Sequence, residues 1–400
     1  MKRMIVFCLL LVLSMTFTAQ ARPLPYTDVS AIHNLNAVSM LTDLELLEGD
    51  DTHAFRPDGL LTRAEVSKLA ALISTPSPVA SCDAPFIDIA QSWAVGYISY
   101  GYEQGFLAGY GDGYFAPNDH VTAQELVKML LGAIGYDLSD MTGSNWGERL
   151  DALANELNIY NGYDLDPSRP INRDYAARLT LNALNCCAVA GYENGEPIYE
   201  LDDLLNPVTV LESRFGVVRY QQVITANEFV DLSNPDAPLD AGKTKLYGHY
   251  PMTCSTTLSD LGRTVTVYLR DGQVVGVPVY DPTEFCITLN GSDNLNQLLS
   301  DGGYALASDA AIYLNGVAAD SDALKALDSD NSITLLDYES DDLIDTVLVW
   351  HWQHCHVVQN RPLVYEVPGG TQVAPDVMID EEATEVLALC VHGQWVVRTF

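Results

Sequence analysis

A helix-initiation motif that recurs at a fixed spacing is the feature that most constrains the fold of this chain. Residues 62–65 (TRAE) precede the apolar run VSKLAALIS, and residues 122–125 (TAQE) precede LVKMLLGAI. In each copy the threonine can cap the first helical turn while the glutamate reaches back to the threonine amide, which forms a capping box. Phe55 and Phe115 are also separated by 60 positions. The spacing therefore predicts a repeated unit with a capped amphipathic helix.

A third, weaker copy follows the first two. Residues 166–170 (DPSRP) lead through Asn172 into the run YAARLTLNAL. Asn172 is a favourable N-cap, but Tyr175 stands where the glutamate is expected, so the capping box is lost. Three copies of one helical unit are typical of a repeat module, in which a single copy cannot bury its own apolar face.

Each of the first two copies opens with an aromatic-x-Asp segment, residues 26–29 (YTDV) and 86–89 (FIDI), and the second copy contains the glycine-rich turn 109–117 (GYGDGYFAP). With these motifs, residues 26–190 resemble the S-layer homology (SLH) family. The resemblance implies three repeats packed as an all-α pseudo-threefold bundle. It also implies a partner, an anionic secondary cell-wall polymer on peptidoglycan, often carrying pyruvate ketals, that binds in grooves between repeats.

The resemblance assigns the main polymer contact to the arginine of the helix-start motif, which is Arg63 in the first repeat and Arg173 in the third. A guanidinium at a helix N-terminus offers a planar fork to a ketal carboxylate and adds the positive end of the helix dipole. Ala123 occupies this position in the second repeat. The groove around the second motif is therefore not expected to bind a charged sugar.

Asp28, Asp88, Trp93, Gly111 and Asp112 match family positions that frame the grooves, and we include them in the predicted polymer-binding set. From the residues alone, Trp93 fits a core position better than a sugar platform, and the glycines fit a turn. The glutamates of the two capping boxes are predicted to cap helices and not to act as catalytic acids.

Composition restricts the partners. The 400 residues include 54 acidic and 20 basic side chains, a formal charge of −34, which disfavours binding to nucleic acid or to an anionic membrane. Residues 1–21 combine Lys2, Arg3, a short apolar run and Ala19-Gln20-Ala21, the pattern of a cleaved secretory signal. No later stretch is long enough to insert in a membrane. We expect a secreted protein of the bacterial cell surface or cell wall.

The predicted fold class is multidomain α + β. The expected segments are a signal peptide at 1–21, repeats at 22–80, 81–140 and 141–190, a linker at 191–206 and one or two small β-rich domains at 207–400. Residues 264–277 contain two β-type runs joined by Asp271-Gly272, a strong hairpin signal. Further strands are predicted near 332–336, 346–352, 363–367 and 395–399, with short helices near 294–300 and 321–327.

Two other stretches suggest metal binding, and both are better explained without it. Three histidines and Cys355 lie within residues 351–356, but on a strand they alternate between faces and do not converge. Residues 337–345 are rich in acids but lack the glycine and the final glutamate of a calcium loop, so an acidic turn is favoured. No metal, cofactor or catalytic residue is predicted. The seven cysteines after residue 21 are odd in number, which leaves partial pairing and buried thiols both open.

The sequence thus predicts non-covalent anchoring to the cell wall through the repeats, with a β-rich region displayed behind them and no enzyme activity. Two alternatives remain open: a wall-anchored enzyme, such as a glycan hydrolase with its site in 207–400, and a self-associating surface-layer subunit.

Overall fold

The computed structural model describes residues 24–75, 84–232, 234, 238–280, 286–290, 305–325, 331–337, 343–375, 377–380, 383–391 and 394–398. The predicted signal segment, the predicted helix at 294–300 and most of the acidic stretch 337–345 lie outside these residues. The chain divides into two compact units. The helical unit comprises Pro23–Gln222 and Val265–Asp281, and the β unit comprises Val223–Thr264 and Pro282–Phe400.

Seven α-helices are described in the helical unit. They are α1 (Leu35–Asp43), α2 (Arg63–Ser74), α3 (Val95–Glu103), α4 (Ala123–Ala133), α5 (Trp146–Glu156), α6 (Arg173–Leu184) and α7 (Val210–Phe215). The capping boxes predicted at the starts of α2 and α4 are confirmed, with each threonine accepting from the N3 amide and each N3 glutamate accepting in return. At α6 the Asn172 side chain accepts from the Tyr175 amide at 2.9 Å, so the predicted N-cap is also confirmed.

The residues just before these three caps form a closed ring of backbone hydrogen bonds. The amide of Leu61 donates to Ile171, that of Ile171 donates to Val121, and that of Val121 donates to Leu61, at 3.2, 3.0 and 3.1 Å. Each repeat thus supplies the carbonyl that accepts a backbone hydrogen bond from its neighbour. These three bonds hold the N-termini of α2, α4 and α6 close to one point.

The spacing of apolar residues over 31–47 predicts a first helix with Leu35, Val38, Leu41 and Leu44 inward, and the observed helix is shorter. A 3-10 turn (Val29–Ala31) precedes α1, which begins only after Asn34, because the Asn34 amide and side chain donate to the Asp174 carboxylate of α6 at 3.1 and 2.9 Å. Val38 and Leu41 are fully buried as predicted, but Leu35, predicted to face inward, is exposed.

The helical unit contains two β-hairpins besides its helices: the first lies mostly in the predicted linker 191–206, and the second is the hairpin predicted at 264–277. The first pairs β1 (Val189–Glu193) with β2 (Glu196–Tyr199), and the second pairs β6 (Thr264–Arg270) with β7 (Gln273–Tyr280). In β7, Gly276 has a positive φ of 71° and lies against Met40 of α1, where a Cβ would come within 3.3 Å of the methionine side chain. Its amide donates to the Asp43 carboxylate at 2.8 Å.

Arg214 of α7 caps the C-termini of two of the repeat helices. Its Nη1 donates to the carbonyl oxygens of Ile73, near the end of α2, and Ala133, the last residue of α4, at 2.9 and 2.8 Å. A cation at two helix C-termini satisfies carbonyls that lack partners within their helices and interacts favourably with both helix dipoles. Burial lowers the pKa of Arg214, and the nearby Glu200 opposes that effect.

The β unit begins with antiparallel pairing of residues 224–227 of β3 (Val218–Asn227) with β4 (Lys243–Leu246), which in turn pairs with β5 (Met252–Thr253). A five-stranded sheet follows in the order β10-β9-β12-β11-β8, with β12 parallel to β9 and the other pairs antiparallel. Its strands are β8 (Cys286–Asn290), β9 (Ala305–Leu314), β10 (Val317–Ala319), β11 (Asn331–Leu336) and β12 (Leu343–His351).

A second five-stranded sheet has the order β15-β14-β13-β16-β17 and is antiparallel throughout. Its strands are β13 (Gln353–Asn360), β14 (Leu363–Val367), β15 (Gly370–Ala374), β16 (Glu385–Val391) and β17 (Gln394–Arg398). The β-rich character of the C-terminal region and the predicted strands near 332, 346, 363 and 395 are confirmed. The predicted helix near 321 is a 3-10 turn at Ser321–Lys325.

In the part of the chain that the structure describes, none of the helices has the length and apolar character needed to cross a membrane.

Candidate functional site

Arg63, the first residue of α2, is buried and held by the second repeat. Only 5% of Arg63 is exposed. Its Nε donates to the Phe115 carbonyl and its Nη2 to the Ala108 carbonyl, both at 2.8 Å, and its guanidinium packs on the Phe115 ring at 4.4 Å. The remaining Nη1 lies 3.9 Å from the Glu125 carboxylate. Arg63 is therefore not a solvated helix-start residue, since its fork has a fixed orientation.

Arg173, the first residue of α6, makes the same contacts with the first repeat. Its Nε donates to the Phe55 carbonyl and its Nη2 to the Glu48 carbonyl, both at 2.8 Å. The guanidinium lies 4.8 Å from the Phe55 ring centroid, and Nη1 is 3.7 Å from the Glu65 carboxylate. The structure thus brings each predicted arginine to an equivalent position between two repeats.

Asp28 and Asp88 support these arginines through the backbone. The Asp88 carboxylate accepts from the amides of Phe115 and Ala116 at 3.0 and 2.7 Å, and Asp28 accepts from the matching amides of the first repeat at 2.8 Å each. The carbonyl of Phe115 is the acceptor for Arg63. Each aspartate therefore fixes the turn whose carbonyl orients an arginine.

Two cavities surround the arginines. Groove 1, with a volume of about 570 Å³, is lined by Glu48, Glu65, Lys68, Trp93 and Arg173 among others. Groove 2, with a volume of about 670 Å³, is lined by Arg63, Tyr110, Glu125, Lys128 and Trp146 among others. Each groove combines an arginine from one repeat, a glutamate and a lysine from the next, and a tryptophan from the remaining one.

Trp93 does not occupy the core position predicted for it. It precedes α3, which begins only at Val95, and 61% of it is exposed beside groove 1. Trp146, the first residue of α5 in the third repeat, is half-buried and lines groove 2. The indole of Trp146 lies under the Lys128 ammonium at 4.9 Å. The prediction of a core role for Trp93 failed because the helix starts after this residue, leaving the indole outside the helical face.

Gly111 and Asp112 lie in the exposed turn of the second repeat. Gly111 has a φ of 92° with open space around it, and the Asp112 carboxylate accepts from the Tyr114 amide at 3.1 Å. These contacts are typical of turn-forming residues. Their predicted contact with polymer remains a prediction.

The third groove position, where the helix start of the second repeat meets the third repeat, lacks the features of grooves 1 and 2. Ala123 is fully buried, and the neighbouring Gln124 side chain donates to Asp151 at 2.7 Å. Leu165, the counterpart of Phe115 relative to the helix start, is 55% exposed, whereas Phe115 is fully buried. Tyr175 packs edge-on against Tyr163 at 5.2 Å in place of a capping glutamate. An anion would find no arginine at the helix start here and no buried phenylalanine to support one.

Sequence reasoning missed Lys68, Lys128 and a second role of the capping glutamates. The two lysines are separated by 60 positions, like the caps, and this spacing was the signal that could have identified them. Glu65 caps the Thr62 amide with Oε2 at 2.8 Å, while its Oε1 faces Arg173. The glutamate of the motif therefore both caps its own helix and faces the arginine of another repeat.

The histidine-rich stretch forms no convergent site. β12 ends at His351 and β13 starts at Gln353, with Cys355 buried and His354 exposed 3.4 Å from the Glu385 carboxylate. Among the described residues, no group of three His, Cys, Asp or Glu side chains could hold a metal ion. The described cysteines, 186, 187, 254, 355 and 390, are free thiols.

Comparison with known proteins identifies a domain family for two segments of the helical unit. The S-layer homology domain family matches residues 25–67 and 85–126. The chain is 25% identical over 307 residues to a "Surface layer protein" of Brevibacillus choshinensis, covering 72% of this chain and 26% of that protein. It is 26% identical over 165 residues to the "Middle cell wall protein" of Brevibacillus brevis, covering 40% of this chain and 15% of the relative.

A third relative is an "Endoglucanase" of Bacillus sp. (strain KSM-635), 27% identical over 122 residues, which are 30% of this chain and 13% of that protein. The chain spans about a quarter of the length of the surface layer protein and less of the other two. The family match and the surface-protein relatives indicate a secreted cell-surface protein. The first two helical repeats of this chain therefore belong to the S-layer homology domain family.

Proposed function

We propose that the helical unit anchors this protein non-covalently to the bacterial cell wall by binding an anionic secondary wall polymer in grooves 1 and 2. The observation that carries the proposal is the repetition of one constellation, an oriented arginine beside a lysine and a tryptophan, at two places related by the repeat. The S-layer homology family match supports the cell wall as the partner.

The orientation of the arginines suits an anionic sugar substituent. In each groove Nε and Nη2 are committed to backbone carbonyls, so the guanidinium is held at the cavity wall without loss of side-chain entropy on binding. A pyruvate ketal carries a carboxylate that can accept from Nη1 and from the nearby ammonium. In a chain of formal charge −34, such a local cationic site is needed to overcome the repulsion of an anionic glycan.

The tryptophans suit the sugar rings. Trp93 presents 61% of its surface to solvent next to groove 1, so its indole is accessible to a ligand in that groove. Hexopyranose faces are apolar and pack on flat aromatic rings, as other apolar groups do. We assign Trp93 and Trp146 to the polymer-binding set together with Arg63 and Arg173, with Asp28 and Asp88 as positioning residues.

The proposal includes the architecture of the anchor. We propose that residues 141–190 are a third repeat and that the three repeats form a pseudo-threefold bundle, with β-hairpins added to it. The cyclic hydrogen bonds before α2, α4 and α6 support this arrangement. Because the third groove position has Ala123 and Leu165 in place of the arginine and the phenylalanine, the bundle has two binding grooves of this kind.

The test is sedimentation of the purified full chain with peptidoglycan sacculi, either intact or stripped of secondary polymer by acid. We expect the protein to sediment with intact sacculi and to remain in solution with stripped ones. Equal sedimentation with both would assign the binding to peptidoglycan itself, and no sedimentation with either would refute wall anchoring. Variant R63A/R173A should remain in solution, and R219A, which changes an exposed arginine outside both grooves, should sediment normally.

A catalytic role for the β-rich region is a second candidate, and the partial similarity to the endoglucanase is compatible with it. Hydrolysis of a soluble β-glucan by the purified chain would support it, and the absence of released reducing ends would count against it. Self-association into a surface layer is tested separately by light scattering of the purified chain with and without calcium.

A further inference from the structure

The two grooves are built from the same repeat, so residues separated by 60 positions can be compared directly. Glu48 and Ala108 form one such pair. The carbonyl of Glu48 accepts from Arg173 and that of Ala108 accepts from Arg63, both at 2.8 Å. The backbones are thus equivalent, and the side chains differ by one carboxylate.

That carboxylate determines whether the nearby lysine is in an ion pair. In groove 1, Glu48 forms an ion pair with Lys68. In groove 2, the Lys128 ammonium donates to the Met141 carbonyl at 2.7 Å and lies 4.9 Å above the Trp146 ring. Among the described residues, no carboxylate lies within 4.0 Å of the Lys128 ammonium. Within that distance, the described part of the chain therefore offers the Lys128 ammonium no counter-ion.

A second pair strengthens the contrast. Asp50 of groove 1 corresponds to Tyr110 of groove 2. Asp50 forms an ion pair with Arg56, whereas the Tyr110 ring packs on the Arg63 guanidinium at 4.7 Å. Groove 2 thus has an aromatic ring where groove 1 has an acid. The two acids of its lining are Glu125, which faces Arg63 Nη1 at 3.9 Å, and Asp137, which accepts from the Ser139 amide at 2.9 Å.

We propose that the grooves are functionally different: groove 2 binds the acidic sugar through Lys128, and Glu48 neutralises Lys68 and keeps groove 1 weak for anions. This inference rests on the proposed function and adds which groove selects the charge. An incoming carboxylate at groove 2 gains a partly desolvated ammonium without displacing a protein carboxylate. At groove 1 the same ligand must compete with Glu48, which is already bound to the lysine.

Burial agrees with this assignment. Desolvation lowers the pKa of Lys128, which is the expected effect on an ammonium that lacks a compensating anion. Binding of a carboxylate would reverse that effect. The lysine would then be more firmly protonated in the complex than in the free protein.

The experiment is calorimetric titration of the full chain with a methyl hexopyranoside bearing a pyruvate ketal, and with the same glycoside without the ketal. We expect K128A to weaken ketal binding about tenfold, which is the value of one charge-assisted contact. We expect K68A to weaken it by no more than about threefold. K243A, which removes an ammonium from the β unit, is the control for a loss of net charge.

The exchanged variants test the mechanism in both directions. E48A should add a second ketal site by freeing Lys68, and A108E should weaken the first site about tenfold by pairing with Lys128. Equal losses in K68A and K128A, or an unchanged site number in E48A, would overturn the inference while leaving wall binding intact. Wild-type protein that binds intact sacculi but not the ketal would also overturn it. Wild-type protein that binds neither would instead refute the proposed function.

Discussion

Replacement of Asp88 by alanine should both destabilise the helical unit and weaken groove 2. The Asp88 carboxylate accepts two backbone hydrogen bonds, from Phe115 at 3.0 Å and from Ala116 at 2.7 Å. A hydrogen bond to a charged group contributes about 1.5–3 kcal/mol, and partial exposure of the aspartate reduces this, so we expect a loss of about 2–3 kcal/mol. For a unit of this size, that corresponds to a fall in Tm of about 5–10 °C.

The matched control is Asp112→Ala in the same repeat. Asp112 is exposed and accepts one local hydrogen bond from Tyr114, at 3.1 Å, so its loss should cost about 0.5 kcal/mol or less. Differential scanning calorimetry of both variants and of the wild-type chain gives the comparison. A Tm for D88A within about 2 °C of that for D112A would refute the reasoning that Asp88 fixes the turn.

Three further predictions concern other parts of the helical unit. Arg214→Ala should lower stability by about 2–4 kcal/mol and speed amide exchange at the ends of α2 and α4, whereas exposed Arg219→Ala should do neither; equal exchange in both variants would contradict this. Ala123→Arg should give no gain in wall sedimentation, because its surroundings lack the buried phenylalanine and the glutamate; a gain would show that the third groove needs only the arginine. The Thr52 hydroxyl and adjacent amides lower the pKa of Asp50 to about 2, so this group stabilises the fold above pH 4 and loses its effect as the pH falls towards 2. The wild-type Tm should therefore fall more steeply in that range than the Tm of D50N, and parallel curves would contradict the assignment.

The helix starts were predictable because their signals are local. Capping at Thr62 and Asn172 depends on residues within three positions, and the structure shows these caps. The hairpin around Asp271 and Gly272 was likewise encoded in its turn, where both residues have positive φ. Local chemistry of this kind requires no knowledge of the tertiary fold.

Other features depend on distant segments and could not be read from the sequence. The ion pair of Glu65 with Arg173 and the capping of α2 by Arg214 join residues more than 100 positions apart. Packing of β7 on α1, fixed by Gly276, joins segments separated by more than 200 positions. A helical pattern indicates that a face needs a partner but does not identify the partner.

The prediction that Trp93 lies in the core was wrong for a different reason. An aromatic residue next to an apolar helix was assigned to the core by composition, although its position before the N-terminus of α3 sets it outside the buried face. The equivalent spacing of Lys68 and Lys128 was present in the sequence and went unused. Comparing repeats position by position, beyond the motif itself, would have found both grooves.

The central claim is that wall binding takes place in grooves 1 and 2. The most direct measurement is sedimentation of intact sacculi with wild-type protein, with W93A/W146A, and with Y250A, which removes an aromatic ring that is 93% exposed in the β unit. Each variant is first shown by its melting curve to be folded. Wild-type protein and Y250A should sediment and W93A/W146A should remain in solution, whereas sedimentation of the folded double variant at the wild-type level would contradict the account.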